Sequence, residues 1–312
     1  MRASTLVRRL SFPYRAPPVP RGVEPPVKKK RVGLDFETEW ARRAPARLAR
    51  GLLLEGVLRP SLAALADPER RGGDRLAGLA AVAGDDPPRP VIFAANHHSH
   101  IDTPLVLTSL PPAWRRKVFV AAASDYFFRN QVTGTVSALV LNAIPIERTR
   151  VNRRSADDAA ALIDDGWSLL IFPEGGRSPD GWGQPFRGGA AYLALRCRVP
   201  VVPIYVDGTG RILRKGKNVP TPSRTVITFG APMWPDDGED SRRFAVRIEA
   251  AVAALADETT TDWYSARLRA ARGETPPLTG PEAPTWRRAW ALDGGRDRES
   301  RRRRRPRWPD LG

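Results

Sequence analysis

Cysteine is almost absent from this chain, since Cys197 is the single one among 312 residues. One thiol cannot build a disulfide framework or supply a cysteine-based metal cluster. Cys197 lies in an apolar stretch that is predicted to be helical, where a buried structural thiol is expected. The cysteine content is therefore typical of a protein from a reducing compartment.

Long apolar runs are also missing. No segment reaches the roughly 20 consecutive apolar residues that a membrane-spanning helix needs. Arg8, Arg9 and Pro13 interrupt any apolar core of a secretory signal peptide. The longest uncharged segment, 131–146, includes polar residues and Pro145, and it predicts a buried helix, a loop and a strand. We therefore expect a peripheral or monotopic protein on the cytoplasmic face of the cell membrane.

Lysine is scarce, with six among the 51 basic residues, although the net charge is +17. Much of that charge lies in two tails: residues 1–33 hold nine basic and one acidic residue, and residues 273–312 hold ten basic and six acidic ones. Such tails can bind an anionic membrane surface, and a coding bias toward Arg, Ala and Pro explains them equally well. Because tryptophans are the only aromatic residues of the C-terminal tail, base stacking is weakly supported and no nucleic acid is expected as a partner.

Composition divides the chain into three parts. Residues 1–35 are basic and proline-rich and are predicted to be disordered. Residues 36–272 are predicted to form the folded domain, and residues 273–312 an Arg-rich disordered tail. The domain begins with a segment that is predicted to be helical, with breaks at Pro45 and Pro60.

The predicted helical segment 36–66 has two faces. Arg43, Arg47 and Arg50 share one face at helical spacing. The apolar residues of the other face are Leu48, Leu52, Leu53 and Val57. A helix of this kind can lie in a membrane interface or cover the core of the domain, and the pattern leaves both interpretations open.

Short apolar segments alternate with helical patterns along the rest of the domain. Strands are predicted at residues 91–95, 118–121, 143–146, 169–172, 199–205 and 226–229. Helices are predicted at residues 103–110, 155–163, 189–196 and 242–254. This alternation predicts an α/β domain with a central, mostly parallel or mixed sheet flanked by helices. Pro145 places the strand at 143–146 near an edge of that sheet.

Histidine is scarce and concentrated. His97, His98 and His100 are the three histidines of the chain, and they directly follow the first predicted strand. Loops beyond the carboxyl ends of strands are where α/β sheets build their sites. A histidine that acts as general base needs a carboxylate to fix its tautomer. Asp102, five residues after His97, can supply it.

A metal site is the principal alternative for this cluster. His98, His100 and Asp102 match the start of the pattern of metallo-β-lactamase-type zinc hydrolases, which needs a histidine next and further histidines later. The next residue is Thr103, and no further histidine exists. No metal is therefore expected, while a purely structural histidine cluster stays open.

A second cluster follows the strand predicted at 169–172. Gly175 and Gly176 allow main-chain N–H groups to face an anion, and Arg177 can bind a phosphate through two hydrogen bonds. Arg148 ends another predicted strand and adds a second guanidinium, unless it forms a surface ion pair with Glu147. These groups beside a histidine base suggest a phosphorylated acceptor with a free hydroxyl.

Four sequence blocks, in this order, resemble the 1-acylglycerol-3-phosphate acyltransferases, a family of glycerolipid acyltransferases. The blocks are Asn96–Asp102, Ala143–Arg148, Phe172–Ser178 and Val199–Ile204. The resemblance covers about residues 90–230 and implies a single acyltransferase-like α/β domain. It departs from the family at Gly176, where threonine is usual, and at Ala143 and Pro145, where glycine and phenylalanine are usual.

The resemblance implies a role for each matching residue. His97 would be the catalytic base and Asp102 its partner in a His-x-x-x-x-Asp motif, with His98 and His100 as bystanders. Arg148 would contact the phosphate of the acceptor. The substrate-binding residues would be Ser99, Arg148, Glu174, Gly175, Gly176 and Arg177.

The implied reaction moves a fatty acyl group from acyl-CoA or acyl-carrier protein to the hydroxyl of a phosphorylated glycerolipid, with lysophosphatidic acid becoming phosphatidic acid. The expected partners are the acyl thioester donor, a lysophospholipid acceptor and an anionic membrane surface. No cofactor is expected, because the thioester is a co-substrate. Glycerol 3-phosphate, another lysolipid or a glycolipid stays open as the acceptor, and so does a non-catalytic lipid-binding protein with basic tails.

Overall fold

A seven-stranded sheet organises the domain in the computed structural model, which describes residues 33–76, 79, 89–147, 153–213, 219–283 and 287–288. The strands are β1 (Pro68–Arg71), β2 (Ile92–Ala95), β3 (Val118–Ala123), β4 (Ala143–Ile146), β5 (Ser168–Ile171), β6 (Val201–Asp207) and β7 (Thr225–Phe229). Their order across the sheet is β1-β7-β6-β2-β5-β3-β4. Every neighbouring pair is parallel except β6 and β7, which are antiparallel.

Helices cover both faces of the sheet. They are α1 (Ala44–Leu53), α2 (Arg59–Ala66), α3 (Asp102–Ser109), α4 (Pro112–Arg115), α5 (Ser124–Phe127), α6 (Gln131–Leu141), α7 (Arg153–Asp164), α8 (Gly189–Cys197), α9 (Thr209–Ile212), α10 (Ser241–Thr260) and α11 (Trp263–Arg272). A π-helical turn, Leu54–Leu58, joins α1 to α2. Short 3₁₀ turns occupy Glu39–Arg42 and Gly73–Leu76. No helix in the described part of the chain is long and apolar enough to cross a membrane.

The alternation of side chains along β2 divides the core into two clusters. All four β2 residues are buried, as expected for a central strand with helices on both faces. Phe93 and Ala95 pack into a cluster with helices α2 and α3, and Ile92 and Ala94 pack into a second cluster with α7, α8 and α10. Helices therefore pack on both faces of the sheet, and loops follow the carboxyl ends of its strands.

The predicted fold class is confirmed: the sheet is mixed, mostly parallel and flanked by helices. The segment 131–146 forms the predicted helix, loop and strand, because Asn142 at φ 51° ends α6 directly before β4. The helix is not buried as predicted, since Val132 and Val136 are 72% and 54% exposed. The strand β4, which holds Pro145, lies at an edge of the sheet. Strand β1 and helix α11 were not predicted.

The predicted helical segment 36–66 differs from the structure at Pro60, where no break occurs, and at Arg50, which is buried. Pro45 lies in the first turn of α1, where proline fits, and Pro60 lies in the first turn of α2 without separating it from the preceding turn. Arg50 does not belong to an exposed basic face, because it is buried at 6% exposure. Leu62 and Ala66 of α2 enter the core, whereas Leu48 and Leu52 of α1 are exposed.

The segment after α11 departs from the predicted boundary at residue 272. Residues 273–283 have a defined path, and Leu278 is buried beside Val252 and Phe186. The disorder predicted for residues 1–32, 284–286 and 289–312 falls outside the described residues.

Candidate active site

The site lies where neighbouring parallel strands end. Strands β2 and β5 are adjacent, with Ala94 paired to Ile171, so the loops that follow them leave the sheet side by side. The loop after β2 carries the three histidines, and the loop after β5 carries the Pro173–Ser178 cluster. The Ser178 N–H donates to the His97 carbonyl oxygen over 2.8 Å, which joins the two loops directly.

His97 and Asp102 meet as predicted. The Nδ1 atom of His97 lies 2.9 Å from Oδ2 of Asp102. The side chain of His97 is 12% exposed, and that of Asp102 is fully buried. Asp102 therefore determines that Nδ1 carries the proton, which leaves Nε2 of His97 as the basic nitrogen. Phe172 stacks on the imidazole with ring centroids 4.2 Å apart and restricts its tilt.

Asp102 is held by the loop that it serves. Its Oδ2 atom also accepts the main-chain N–H groups of His98 at 2.7 Å and Ser99 at 2.8 Å, and Asp102 begins helix α3. Burial raises the pKa of Asp102, but the hydrogen bond from His97, the nearby His98 and the Ser99 N–H together keep it below its ordinary value. Asp102 is thus a fixed carboxylate at neutral pH.

Ser99 and Asn96 hold the loop after β2 in place. The Ser99 hydroxyl donates to the Leu213 carbonyl oxygen at 2.9 Å, and Ser99 is fully buried. The Asn96 side chain donates to the Val206 carbonyl oxygen and accepts the Val206 N–H, at 2.9 and 2.7 Å. The predicted substrate contact of Ser99 stays a prediction, while its hydroxyl is engaged with the main chain. Sequence reasoning missed Asn96, whose signal is an amide placed at the end of a buried strand.

The side chains of His98 and His100 contact neighbouring side chains of the domain rather than those of the His97–Asp102 pair. Burial lowers the pKa of His98, whose Nδ1 lies 3.4 Å from the Asn96 amide nitrogen. His100 stacks on Tyr126 with centroids 4.8 Å apart. Burial, helped by the charge of Arg177, lowers the pKa of His100 to about 4. Within the described part of the chain, no group of three His, Cys, Asp or Glu side chains is arranged to hold a metal ion.

Glu174 is buried and connects the loop after β2 to the loop after β5. Its Oε1 atom accepts the His97 N–H at 2.8 Å, and its Oε2 atom accepts the Gln184 N–H at 2.9 Å. Glu174 is 2% exposed, and burial raises its pKa to about 7 against the opposing effect of these donors. Both oxygens are thus engaged with main-chain groups, and the predicted substrate contact of Glu174 stays a prediction.

The glycines make a tight turn in front of Arg177. Gly175 has φ +71°, and its N–H donates to the Phe172 carbonyl oxygen at 3.0 Å. A Cβ at Gly175 would lie 2.9 Å from Nε of Arg187, so the position favours glycine in both conformation and space. The carbonyl oxygens of Gly176 and Arg177 accept hydrogen bonds from the Gln184 side chain.

Arg177 is partly exposed beside His100. Arg148, the second predicted phosphate ligand, lies outside the described residues. The structure therefore brings His97, Asp102, Glu174 and Arg177 to one edge of the sheet. The side chains that sequence reasoning missed at this edge are Asn96, Tyr126, Phe172 and Gln184.

The chain is similar in sequence to known acyltransferases. Residues 81–207 match the model of a family described as Acyltransferase. A 1-acyl-sn-glycerol-3-phosphate acyltransferase of Cocos nucifera is 29% identical over 154 residues, which cover 48% of each chain. A chloroplastic 1-acyl-sn-glycerol-3-phosphate acyltransferase of Brassica napus is 32% identical over 145 residues, or 45% of this chain and 38% of that one. The chain thus spans about half the length, or less, of these curated relatives.

A solved structure resembles the fold. The crystal structure of the 1-acyl-sn-glycerophosphate acyltransferase PlsC from Thermotoga maritima aligns with a TM-score of 0.52 and 22% identity. The alignment covers 72% of this chain and 84% of that one. The sequence resemblance to the glycerolipid acyltransferases is confirmed by these curated relatives, and the solved structure shares the fold over 72% of the chain.

Proposed function

We propose that this chain is an O-acyltransferase that moves a fatty acyl group from an acyl thioester to the free hydroxyl of lysophosphatidic acid, which yields phosphatidic acid. The observation that carries the proposal is the 2.9 Å contact between Nδ1 of His97 and the fully buried carboxylate of Asp102. The family match over 81–207 and the named relatives support the choice of reaction.

In the proposed reaction, His97 acts first as a base. Its Nε2 takes the proton from the acceptor hydroxyl while that oxygen attacks the thioester carbonyl carbon. The resulting imidazolium is stabilised by Asp102, which keeps its negative charge. When the tetrahedral intermediate collapses, the carbon–sulfur bond breaks and the imidazolium returns its proton to the leaving thiolate. The products are an ester and a free thiol, and no cofactor is needed.

Phosphate recognition is assigned to arginine side chains. Arg177 lies in the loop that contacts His97 through Ser178, so a phosphate bound there would hold the acceptor close to the base. Arg148 is proposed as a second phosphate ligand from the sequence alone, in which it follows β4 by two residues. Both guanidinium groups position the acceptor rather than take part in bond making, and positioning alone lowers the barrier substantially.

We also propose that the protein works at an anionic membrane surface as a peripheral or monotopic protein on its cytoplasmic face. The support is a group of exposed apolar residues in α1 and the π turn that follows it: Leu48, Leu52 and Val57 are 68%, 67% and 54% exposed. The Arg59 N–H donates to the Leu54 carbonyl oxygen and closes that π turn, which carries Val57. Arg43, directly before α1, and Arg47, within α1, are exposed as well.

An acceptor panel tests the reaction. Purified full-length protein is incubated with radiolabelled acyl-CoA, or acyl-carrier protein charged with the same chain, and lysophosphatidic acid, glycerol 3-phosphate, another lysolipid or a glycolipid. We expect labelled phosphatidic acid as the main product. A different labelled ester would change the acceptor, and the absence of any ester with every pair would favour a lipid-binding protein.

Two variants test the assignment of the base. His97→Ala should abolish transfer, and Asp102→Asn should lower kcat by about 10³–10⁴-fold because the amide favours the wrong imidazole tautomer. His98→Gln is the matched control, since His98 lies beside the pair without a part in the proposed chemistry. Full activity of His97→Ala in a folded protein would contradict the mechanism.

A further inference from the structure

The loop that carries Glu174 and Arg177 is long and has no regular secondary structure. It extends from Phe172, after β5, to Gly188, before α8. Long loops keep one conformation only when other parts of the chain hold them. The hydrogen bonds to His97 and within the turn fix its first residues, and Gln184 returns to Glu174. The middle part of the loop, between Ser178 and Gln184, contains Asp180 and Trp182.

A segment near the C-terminus holds this middle part of the loop. We call it the C-terminal strap and define it as residues 277–283 together with Arg288. The Gly183 N–H donates to the Leu278 carbonyl oxygen at 2.9 Å. Leu278 is 9% exposed and anchors the strap in an apolar cluster with Phe186 and Val252. The strap is therefore packed on the domain through a buried side chain.

Two further contacts fix the strap against Trp182. Gly280 has φ +71°, and a Cβ added there would lie 2.3 Å from the Trp182 ring, so only glycine allows the strap to pass this close. The indole N–H of Trp182 donates to the Arg288 carbonyl oxygen at 3.1 Å.

Arg288 adds an ion pair to the same loop. Its Nε atom lies 2.8 Å from Oδ2 of Asp180, with 23% and 27% of the two side chains exposed. The Arg288 guanidinium also donates to the Pro281 carbonyl oxygen at 3.0 Å, which ties the strap to itself. The pair is partly shielded from water, so it is stronger than a fully exposed one.

The attachment points lie within a few residues of the site contacts. Ser178, whose N–H binds the His97 carbonyl, accepts the Gly181 N–H on its hydroxyl at 2.7 Å. Gln184 binds Glu174 through its N–H, and the carbonyl oxygens of Gly176 and Arg177 through its side chain. A displacement of Trp182 would therefore be transmitted in both directions to groups around Arg177.

We propose that the C-terminal strap is a positioning element for acceptor binding, with Arg288 as its principal polar contact. The strap holds the loop so that Arg177 meets the phosphate of the acceptor, and it does not touch the reacting atoms. The proposal rests on the proposed acyl transfer for its kinetic form. The strap lies outside residues 81–207, the part that matches the family model.

The kinetic test uses the full chain with Arg288→Ala. We expect the KM for lysophosphatidic acid to rise about fivefold while kcat and the KM for acyl-CoA stay within about twofold, because uniform acceptor binding is lost and the base is untouched. Arg288→Lys should recover part of the affinity. Arg272→Ala, an exposed arginine on α11, is the matched control. The proposal would be overturned by an unchanged KM for lysophosphatidic acid. It would also be overturned if a folded variant showed a lower kcat and a higher KM for both substrates to a similar extent.

A second measurement does not depend on the reaction. Hydrogen–deuterium exchange of the main chain over residues 178–188 should be faster in Arg288→Ala than in the wild type and in Arg272→Ala, while exchange in β2 and β5 stays the same. Equal exchange over 178–188 would refute the strap even if acyl transfer is confirmed. Faster exchange in a protein without transfer activity would support the strap and locate the failure in the proposed function.

Discussion

Glu174 illustrates how a buried carboxyl group can serve a site that it does not enter. Its two oxygens bind main-chain N–H groups of His97 and Gln184. These donors favour the ionised form, but burial dominates and raises the pKa of Glu174 to about 7. The pKa of Glu174, whose carboxylate binds the main-chain N–H of His97, therefore lies close to neutral pH.

The raised pKa of Glu174 predicts a stability change with pH. Because the folded-state pKa exceeds the unfolded value, the free energy of unfolding should fall as pH rises from about 4.5 to about 7, by about 3 kcal/mol from this residue alone. In Glu174→Gln the group cannot ionise, so this component should disappear. Urea unfolding at pH 5 and pH 8 measures it as the change in the difference between wild type and variant.

Exposed Glu39 provides the control for that measurement. Glu39→Gln replaces a carboxyl group at the surface in the same way and makes none of the contacts of Glu174, so it controls for the substitution itself. A Glu174→Gln protein with the wild-type pH dependence would show that Glu174 stays ionised in the folded protein throughout this range.

At the residue scale, sequence spacing predicted the pair but not its support. His97 and Asp102 are five residues apart and share one turn, so their contact follows from local geometry. Glu174 reaches the His97 N–H across 77 positions, and a main-chain donor leaves no mark on residue type. Tyr126 lies after β3, and its stacking on His100 depends on how the strands are ordered.

At the scale of elements, Arg50 joins α1 to α6. Its guanidinium donates to the carbonyl oxygens of Leu139 at 2.8 Å and Ala138 at 3.4 Å, in the last turn of α6, and to that of Ala41. These last-turn carbonyls lack partners within their own helix, and a cation there also complements the helix dipole. Burial, with the charges of Arg42 and Arg47, lowers the pKa of Arg50 to about 10, so it remains a cation at neutral pH.

Replacing Arg50 should loosen this packing. Arg50→Met keeps the aliphatic part of the side chain but leaves buried carbonyl oxygens without a donor, which should cost about 2–3 kcal/mol of unfolding free energy. Arg43→Met is the matched control, because Arg43 is exposed and makes no cap hydrogen bond. Urea denaturation of both variants measures the difference. Equal stability of the two variants would show that water replaces the guanidinium at no cost.

Elements with strong apolar patterns were predictable, and elements that depend on partners were not. Strand β2 is apolar at every position and was predicted within one residue of its start. Strand β1 reads Pro-Glu-Arg-Arg and forms because β7 offers it a free edge, with Glu69 paired to Val226. Helix α11 carries exposed Trp263 and Tyr264 and packs on α10 through Ala266, so its apolar period is weak.

At the scale of the whole molecule, charge and apolar exposure favour a lipid surface through separate parts of the chain. The chain carries a net charge of +17, and residues 1–33 hold nine basic residues against one acidic residue. The exposed apolar residues Leu48, Leu52 and Val57 belong to the folded domain. Electrostatic attraction weakens with salt, whereas apolar insertion does not. The two contributions can therefore be separated experimentally.

Removing residues 1–32 should weaken sedimentation with phosphatidylglycerol vesicles strongly at low salt and only slightly at high salt. Leu48→Gln combined with Leu52→Gln should weaken it at both, by about 10-fold or more, because burying a leucine contributes about 1.5–3 kcal/mol. Val246→Gln, at an exposed valine of α10, is the control. A larger deletion through residue 66 would not serve, since Leu62 and Ala66 belong to the core. Binding that is unchanged in the leucine variant and abolished by salt would assign membrane attachment to the charged tail alone.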